Sequence, residues 1–432
     1  MKYIFFLLLT FIGYSQQTPA SKQTKSILIT GGFAHLGNGS VIENSVISIV
    51  DGKIAYVADG NLMKPGKHDT YINASGKHIY PGFIAPNSTL GLVEIDAVRA
   101  SDDEREIGEF NPHIRSIIAY NTESVITESA RPNGIFLAQI APRGGRISGT
   151  SSIVQLDAWN WEDAIVKEND GVFLDWPTSY STSGGRNEPI IEPNKKYDEQ
   201  LKAIQDYFDN SAAYLNGDKS KKDLAYEAMN GLQNGTKNLY INATNEKEIE
   251  DIVLFKIKNK LPNVTIVGGY FAYKVADLLK QNNISVLLRR VHSLPLLEDE
   301  DVNLPYKNAK ILVDKGVLVA LENSGDMERM QTRNLPFYAG TCAAWGIPKE
   351  QALQLITLNT AKILGIDKNY GSLEEGKSAT LFISEGDALD MKTNVISEAF
   401  IDGRQISLES HQTELYKRYK AKYKEEKQIK IQ

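Results

Sequence analysis

Between residues 134 and 345, strand-like and helix-like runs alternate, and this alternation restricts the fold more than any single residue does. Gly134 to Ala141, Asn238 to Ala243, Val264 to Gly268, Ser285 to Leu288 and Val317 to Leu321 read as strands. Tyr197 to Leu215, Glu246 to Lys260, Ala272 to Gln281, Asn308 to Lys315 and Asn334 to Trp345 read as helices. In the first of these, Tyr197, Leu201, Ile204, Phe208 and Leu215 fall on one face at helical spacing. Strands separated by helices imply a parallel sheet, and a stretch of roughly 290 residues suits a (β/α)8 barrel with insertions. An open doubly wound sheet is the alternative, but the chain carries no glycine-rich dinucleotide fingerprint to support it.

The two ends have a different grammar. Ile27 to Thr30, Val46 to Val50 and Ile54 to Val57 are short β-rich runs, and Asp51-Gly52 between the last two is a hairpin signal. Near the other end, Ala379 to Ser384 and Ala399 to Ile401 read as strands, with Asp402-Gly403 before Arg404 to Ile406. The expected α/β architecture is a (β/α)8 TIM-like barrel over 81–372 with a composite β-sandwich domain from 26–80 and 373–408. Residues 409–432 form a Lys- and Glu-rich C-terminal helix or tail.

Lys2 followed by the apolar run Tyr3 to Tyr14 and small residues at Gly13 and Ser15 describes a signal peptide over 1–15, too short for a permanent membrane span. The expectation is an exported protein, periplasmic or extracellular. With Cys342 as its one cysteine, the chain forms no internal disulfide and no cysteine-held zinc site. Cys342 itself reads as a small buried residue rather than a reactive thiol. A formal charge of -6 and a pI of about 5.7 argue against nucleic acid as a partner.

The run Ile79 to Ile95 (IYPGFIAPNSTLGLVEI) resembles the first barrel strand of the metal-dependent amidohydrolases, where Pro-Gly-[Leu/Phe]-Ile-Asp precedes His-x-His. The C-terminal stretch ALQLITLNTAKILGIDKNYGSLEEGKSATLFI resembles the same family's return into its sandwich through Thr357, Asn359, Ala361, Gly371, Leu373, Gly376 and Lys377. The resemblance is closest to the secreted imidazolonepropionase-like and dipeptidase-like branch. It implies a hydrolase of carbon–nitrogen bonds other than peptide bonds, working through a metal-bound hydroxide at the C-terminal mouth of the barrel.

The positions that hold the metal in that family are substituted here. Ala85 stands at the aspartate position, and Asn87 and Thr89 at the paired histidines. Asn242 takes the place after strand five, Tyr270 and Phe271 follow strand six, and Ser324 falls near the strand-eight aspartate, with Asp326 two positions late. Amide and hydroxyl oxygens are weak zinc ligands beside imidazole. No metal ligand is therefore expected, with weak divalent zinc binding the only cofactor in view. Of the six histidines, His35, His68, His78, His113, His292 and His411, only His292 follows a barrel strand closely enough to reach the mouth.

Two readings stay open. One is an amidohydrolase-like enzyme with a weakened site built on Asn87, Thr89, Asn242, His292 and Asp326. The other is a non-catalytic barrel that binds a small amide or dipeptide-like ligand, as a homo-oligomer or as partner subunit of an active relative. The loop Ala141 to Ser152 is the candidate ligand-binding element: Gly144 and Gly145 allow close backbone approach, and Arg143 and Arg146 suit a carboxylate or phosphate. Its competing reading is a scaffold turn. Glu94, Asp96, Glu322 and Asp326 are candidate mouth carboxylates, and Ser151, Ser152 and Ser324 lack the Gly-x-Ser-x-Gly elbow of serine hydrolases.

Overall fold

The computed structural model describes residues 18–185, 188–217, 220–325 and 327–429. The expected signal segment 1–15 and Asp326 lie outside the described residues. No helix among the described residues is long and apolar enough to cross a membrane.

Five strands come first: β1 (Ile27–His35), β2 (Val41–Val50), β3 (Lys53–Asp59), β4 (Thr70–Asn73) and β5 (His78–Pro81). The central strands follow as β6 (Phe83–Ser88), β7 (Ile135–Ile140), β8 (Ile147–Gln155) and β9 (Ile165–Asp175). A separate hairpin pairs β10 (Tyr180–Gly185) with β11 (Glu188–Pro193). Then come β12 (Asn238–Ala243), β13 (Val264–Gly268), β14 (Ser285–Leu288) and β15 (Val319–Leu321). The last three are β16 (Leu381–Ser384), β17 (Ile396–Ile401) and β18 (Arg404–Gln405).

Strands from both chain ends join one sheet in the order β18-β17-β16-β5-β1-β2-β3, with β4 beside β1. The hairpin tips turn where expected: Asp51 and Asp402 have φ of 50° and 48°. Ile29, Ile47, Ile79, Leu381 and Phe400 fill the core of this sheet. Phe382 on β16 ties it to the central strands, packing on Tyr80, Phe83 and Phe136 at centroid distances of 5.4, 5.0 and 5.7 Å.

The central sheet runs β15-β14-β13-β12-β9-β8-β7-β6 and forms a nearly closed TIM-like barrel. Between its first and last strands lies the segment Leu355–Ile356: Leu321 N–H donates to Leu355 O, and Ile84 N–H to Ile356 O, both at 3.0 Å. Each strand sends one side chain into a shared interior cluster, namely Ile84, Leu137, Ile153, Phe173, Tyr240, Val267, Leu287 and Ala320. Ile363 and Leu364 of the helix Leu358–Leu364 join this cluster. The barrel is thus a packed core, not a pore.

One strand departs from the all-parallel expectation. β8 is antiparallel to both β7 and β9. Its cause is local: β7 and β8 are joined only by residues 141–146, whereas a parallel crossover needs a dozen or more residues. The strand Val317 to Leu321 begins at Val319, because Gly316 and Val317 bond back to Val313 O and Leu312 O and close the preceding helix turn. Cys342 is buried in the helix Leu335–Ala344.

Candidate functional site at the barrel mouth

The parallel strands end together at one mouth, and their last residues decide its chemistry. At the end of β6, Asn87 has a left-handed backbone (φ 49°) at a break in register between Ala85 and Ser88. Asparagine tolerates this conformation better than most residues. Its N–H donates to Gln139 Oε1 at 3.0 Å, which turns the Asn87 side chain toward β15. There Nδ2 meets Glu322 Oε2 at 3.4 Å, the long end of hydrogen-bond range.

Glu322 directly follows β15 and is fully buried; its Oε2 accepts from Ser324 N–H at 2.5 Å. Burial pushes its carboxyl above the usual carboxylate range, against the pull of the Ser324 hydrogen bonds. Glu322 Oε1 and Asn87 Oδ1 are both buried without a hydrogen-bond partner among the described residues.

A second carboxylate sits beside them. Thr89 Oγ1 donates to Glu328 Oε1 at 2.7 Å, and Arg143 Nη2 donates to the same oxygen at 2.8 Å. Arg143 Nη2 also reaches Asn87 O at 3.0 Å. The guanidinium therefore lies against the end of the first barrel strand, clamped between a backbone carbonyl and a carboxylate. Asn87, Thr89 and Glu322 are at most 3% exposed, so this half of the mouth is sealed.

The other half is more open. Asn242, ending β12, donates to Asp175 Oδ1 at 2.5 Å across to the end of β9. Burial raises the Asp175 carboxyl, while Asn242 and the nearby Arg143 and Arg146 pull it down. Arg146 donates to Asp175 O at 2.7 Å. Beneath the mouth, Asp170 is held by Ser151 (2.7 Å), Tyr240 (2.8 Å) and Gln139 (2.9 Å), and burial raises its carboxyl as well.

The arginine loop owes its shape to the segment lying over it. Arg143 N–H donates to Glu104 O and Arg146 N–H to Glu109 O. Gly145 has a φ of 69°, and a Cβ there would stand 2.7 Å from Gly108 O. Both its backbone angle and this close approach demand glycine. Beside the loop opens a cavity of about 540 Å³ lined by Asp96, Glu104, Arg105, Arg143, Gly144, Gly325, Met327, Glu328 and Arg329.

The structure thus brings Asn87, Thr89 and Arg143 together, and sets Asn242 with Arg146 around Asp175 nearby. His292 stands apart. Its Nε2 pairs with Thr341 Oγ1 at 2.7 Å and its ring lies edge-on to Tyr338, so it belongs with the helix Leu335–Ala344. Burial and the adjacent Arg290 lower its pKa. His113 is exposed in its loop. Glu94 caps a nearby turn through Ser124 and Asn121. Sequence reasoning missed Glu328 and Asp175. Glu328 carried no signal, while Asp175 was readable as an acid at the end of a strand.

No group of three or more His, Cys, Asp or Glu among the described residues is arranged to hold a metal ion. The donors at the sealed half are two carboxylates, an amide and a hydroxyl, with a guanidinium against them. This set does not fit a zinc ion held by imidazoles, since Arg143 already supplies the positive charge there.

The model of the amidohydrolase family matches residues 307–406. An imidazolonepropionase from Flavobacterium johnsoniae is 20% identical over 453 residues, covering 92% of this chain and 100% of that protein. For the imidazolonepropionase of Flavobacterium psychrophilum, the similarity is 28% over 112 residues, so the chain spans 27% of that relative. Among solved structures, an amidohydrolase from Thermotoga maritima MSB8 superposes with a TM-score of 0.74 at 22% identity, over 88% of this chain and 99% of that one. Molinate hydrolase gives 0.53 at 14% identity, over 91% and 96%. At these identities the structural likeness speaks for the fold.

Proposed function

This chain belongs to the amidohydrolase superfamily, and from that premise we propose that it is a binding barrel in which a guanidinium has replaced the catalytic metal. The family model and the relatives suggest a hydrolase acting on carbon–nitrogen bonds, and this reading takes the scaffold to descend from that chemistry. The observation that carries the proposal is the double contact of Arg143 with Asn87 O and Glu328 at the end of the first barrel strand. A divalent ion placed there would meet a fixed positive charge and no imidazole.

The ligand this reading favours is a small amide or dipeptide-like molecule bearing a carboxylate, taken at the open half of the mouth and in the cavity beside Arg143 and Arg105. Alone or as partner to an active relative, the protein then binds without turnover. The same reading keeps 26–80 and 373–408 as one composite β-sandwich domain, supported by the pairing of β16 with β5. It also keeps the chain as an exported protein, supported by the apolar run after Lys2; N-terminal sequencing of the mature protein tests that point.

The test is an assay of N-acyl amino acids, dipeptides and cyclic amides with added zinc or manganese and with a chelator, alongside calorimetric binding. Saturable binding without metal-dependent turnover supports the proposal. Turnover abolished by the chelator and restored by zinc refutes it.

A second reading rests on Glu322. Its buried carboxyl keeps one oxygen unpartnered and favours the protonated form, which suits a proton donor in metal-free hydrolysis. Chelator-resistant turnover that disappears in Glu322→Gln distinguishes this reading from the first.

A further inference from the structure

At the opposite end of the barrel from the mouth, the first residues of β12, β13 and β14 rim a cavity of about 430 Å³. Four lysines line it, Lys167, Lys237, Lys280 and Lys362, and no aspartate or glutamate does. We infer that this cavity is a second binding site, for a small multivalent anion of the phosphate or polycarboxylate class.

Two of the lysines are held by backbone carbonyls, Lys167 by one within the lining and Lys237 by one outside it. Lys167 Nζ donates to Leu364 O at 2.8 Å and Lys237 Nζ to Ala228 O at 2.7 Å. Lys167 passes close to Gly365, where a Cβ would stand 2.8 Å from the ammonium nitrogen. Lys280 and Lys362 are exposed and have neither an ion pair nor a hydrogen-bond partner among the described residues. Asp170, a buried acid outside the lining, is hydrogen-bonded by Ser151, Tyr240 and Gln139 and interacts electrostatically with Lys167 and Lys237, which leaves Lys280 and Lys362 as the uncompensated pair.

Like charges gathered in one concavity repel, and low-dielectric walls concentrate their field. A multivalent anion relieves that repulsion, and lysine serves as a point charge for phosphate and carboxylate alike. Asn238 at the rim is held through its Nδ2 to Thr265 Oγ1 and Ile363 O. A cavity of this volume lies within the range of small-molecule sites.

The test is isothermal titration of the full chain with glucose 6-phosphate, citrate and glucose. Saturable one-to-one binding of at least one anion, and none of glucose, is expected, and the tighter anion identifies the class. The Lys280→Ala/Lys362→Ala variant, altered only at exposed side chains, is expected to weaken that binding by about tenfold or more. Its circular dichroism and melting temperature confirm the fold. Absence of binding by both anions at millimolar concentration overturns the inference. So does unchanged affinity in the double variant, or an equal loss in Lys420→Ala/Lys424→Ala on the C-terminal helix.

Discussion

At the scale of single residues, the account depends on charges held out of water. Glu322 is buried with its carboxyl pKa raised, so its contribution to stability is full below the carboxylate's unfolded pKa and is lost as pH rises through the folded value. Glu322→Gln keeps an acceptor for Ser324 N–H and offers a donor to the orphaned Asn87 Oδ1. The variant is therefore expected to melt higher than the parent at pH 8, with the difference vanishing below pH 4; melting temperatures across that range check it. Arg143→Ala acts in the other direction. It leaves Glu328, only 12% exposed at its side chain, without its cation. Removing one partner of such a pair costs about 2–4 kcal/mol, to be read from urea unfolding. Asn87, Thr89 and Asn242 were legible only through the resemblance to the metal-dependent amidohydrolases, at the positions where that family carries histidines. Glu328 was not, because it meets Arg143 across 185 positions of sequence, and no local pattern records such a contact.

At the scale of elements, local grammar carried furthest where strands are short, β-branched and bounded by turns. β12, β13 and β14 begin and end where that composition changes. β8 escaped because Gly149, Thr150, Ser151 and Ser152 give it a weak strand signature. Its direction is written instead in the shortness of the 141–146 link, and in the glycines that shape it. Gly145→Ala combines a strained left-handed backbone angle with a clash on Gly108 O. It is expected to lower stability by about 1–3 kcal/mol and to loosen the 104–109 segment, seen as faster amide exchange there.

At the scale of the whole molecule, the end sheet and the barrel share a hydrophobic core in which Phe382 packs among Tyr80, Phe83 and Phe136, and polar contacts such as Arg404 with Asp157 and Lys349 with Asp387 cross between them. Phe382→Ala empties a fully buried site and is expected to cost about 3–5 kcal/mol. A single unfolding transition that shifts as a unit would show that end sheet and barrel fold together; two separated transitions would show that they do not. The charge arrangement differs at the two ends of the barrel. A guanidinium is paired with a carboxylate at the mouth, whereas four lysines and no carboxylate line the cavity at the base. The central claim, that Arg143 stands where a metal would, is tested most directly by elemental analysis of the purified protein after dialysis against zinc, manganese and iron. The account predicts far less than one ion per chain, unchanged in Asn87→Ala; one tightly held ion per chain, lost in Asn87→Ala or Glu322→Gln, would contradict it.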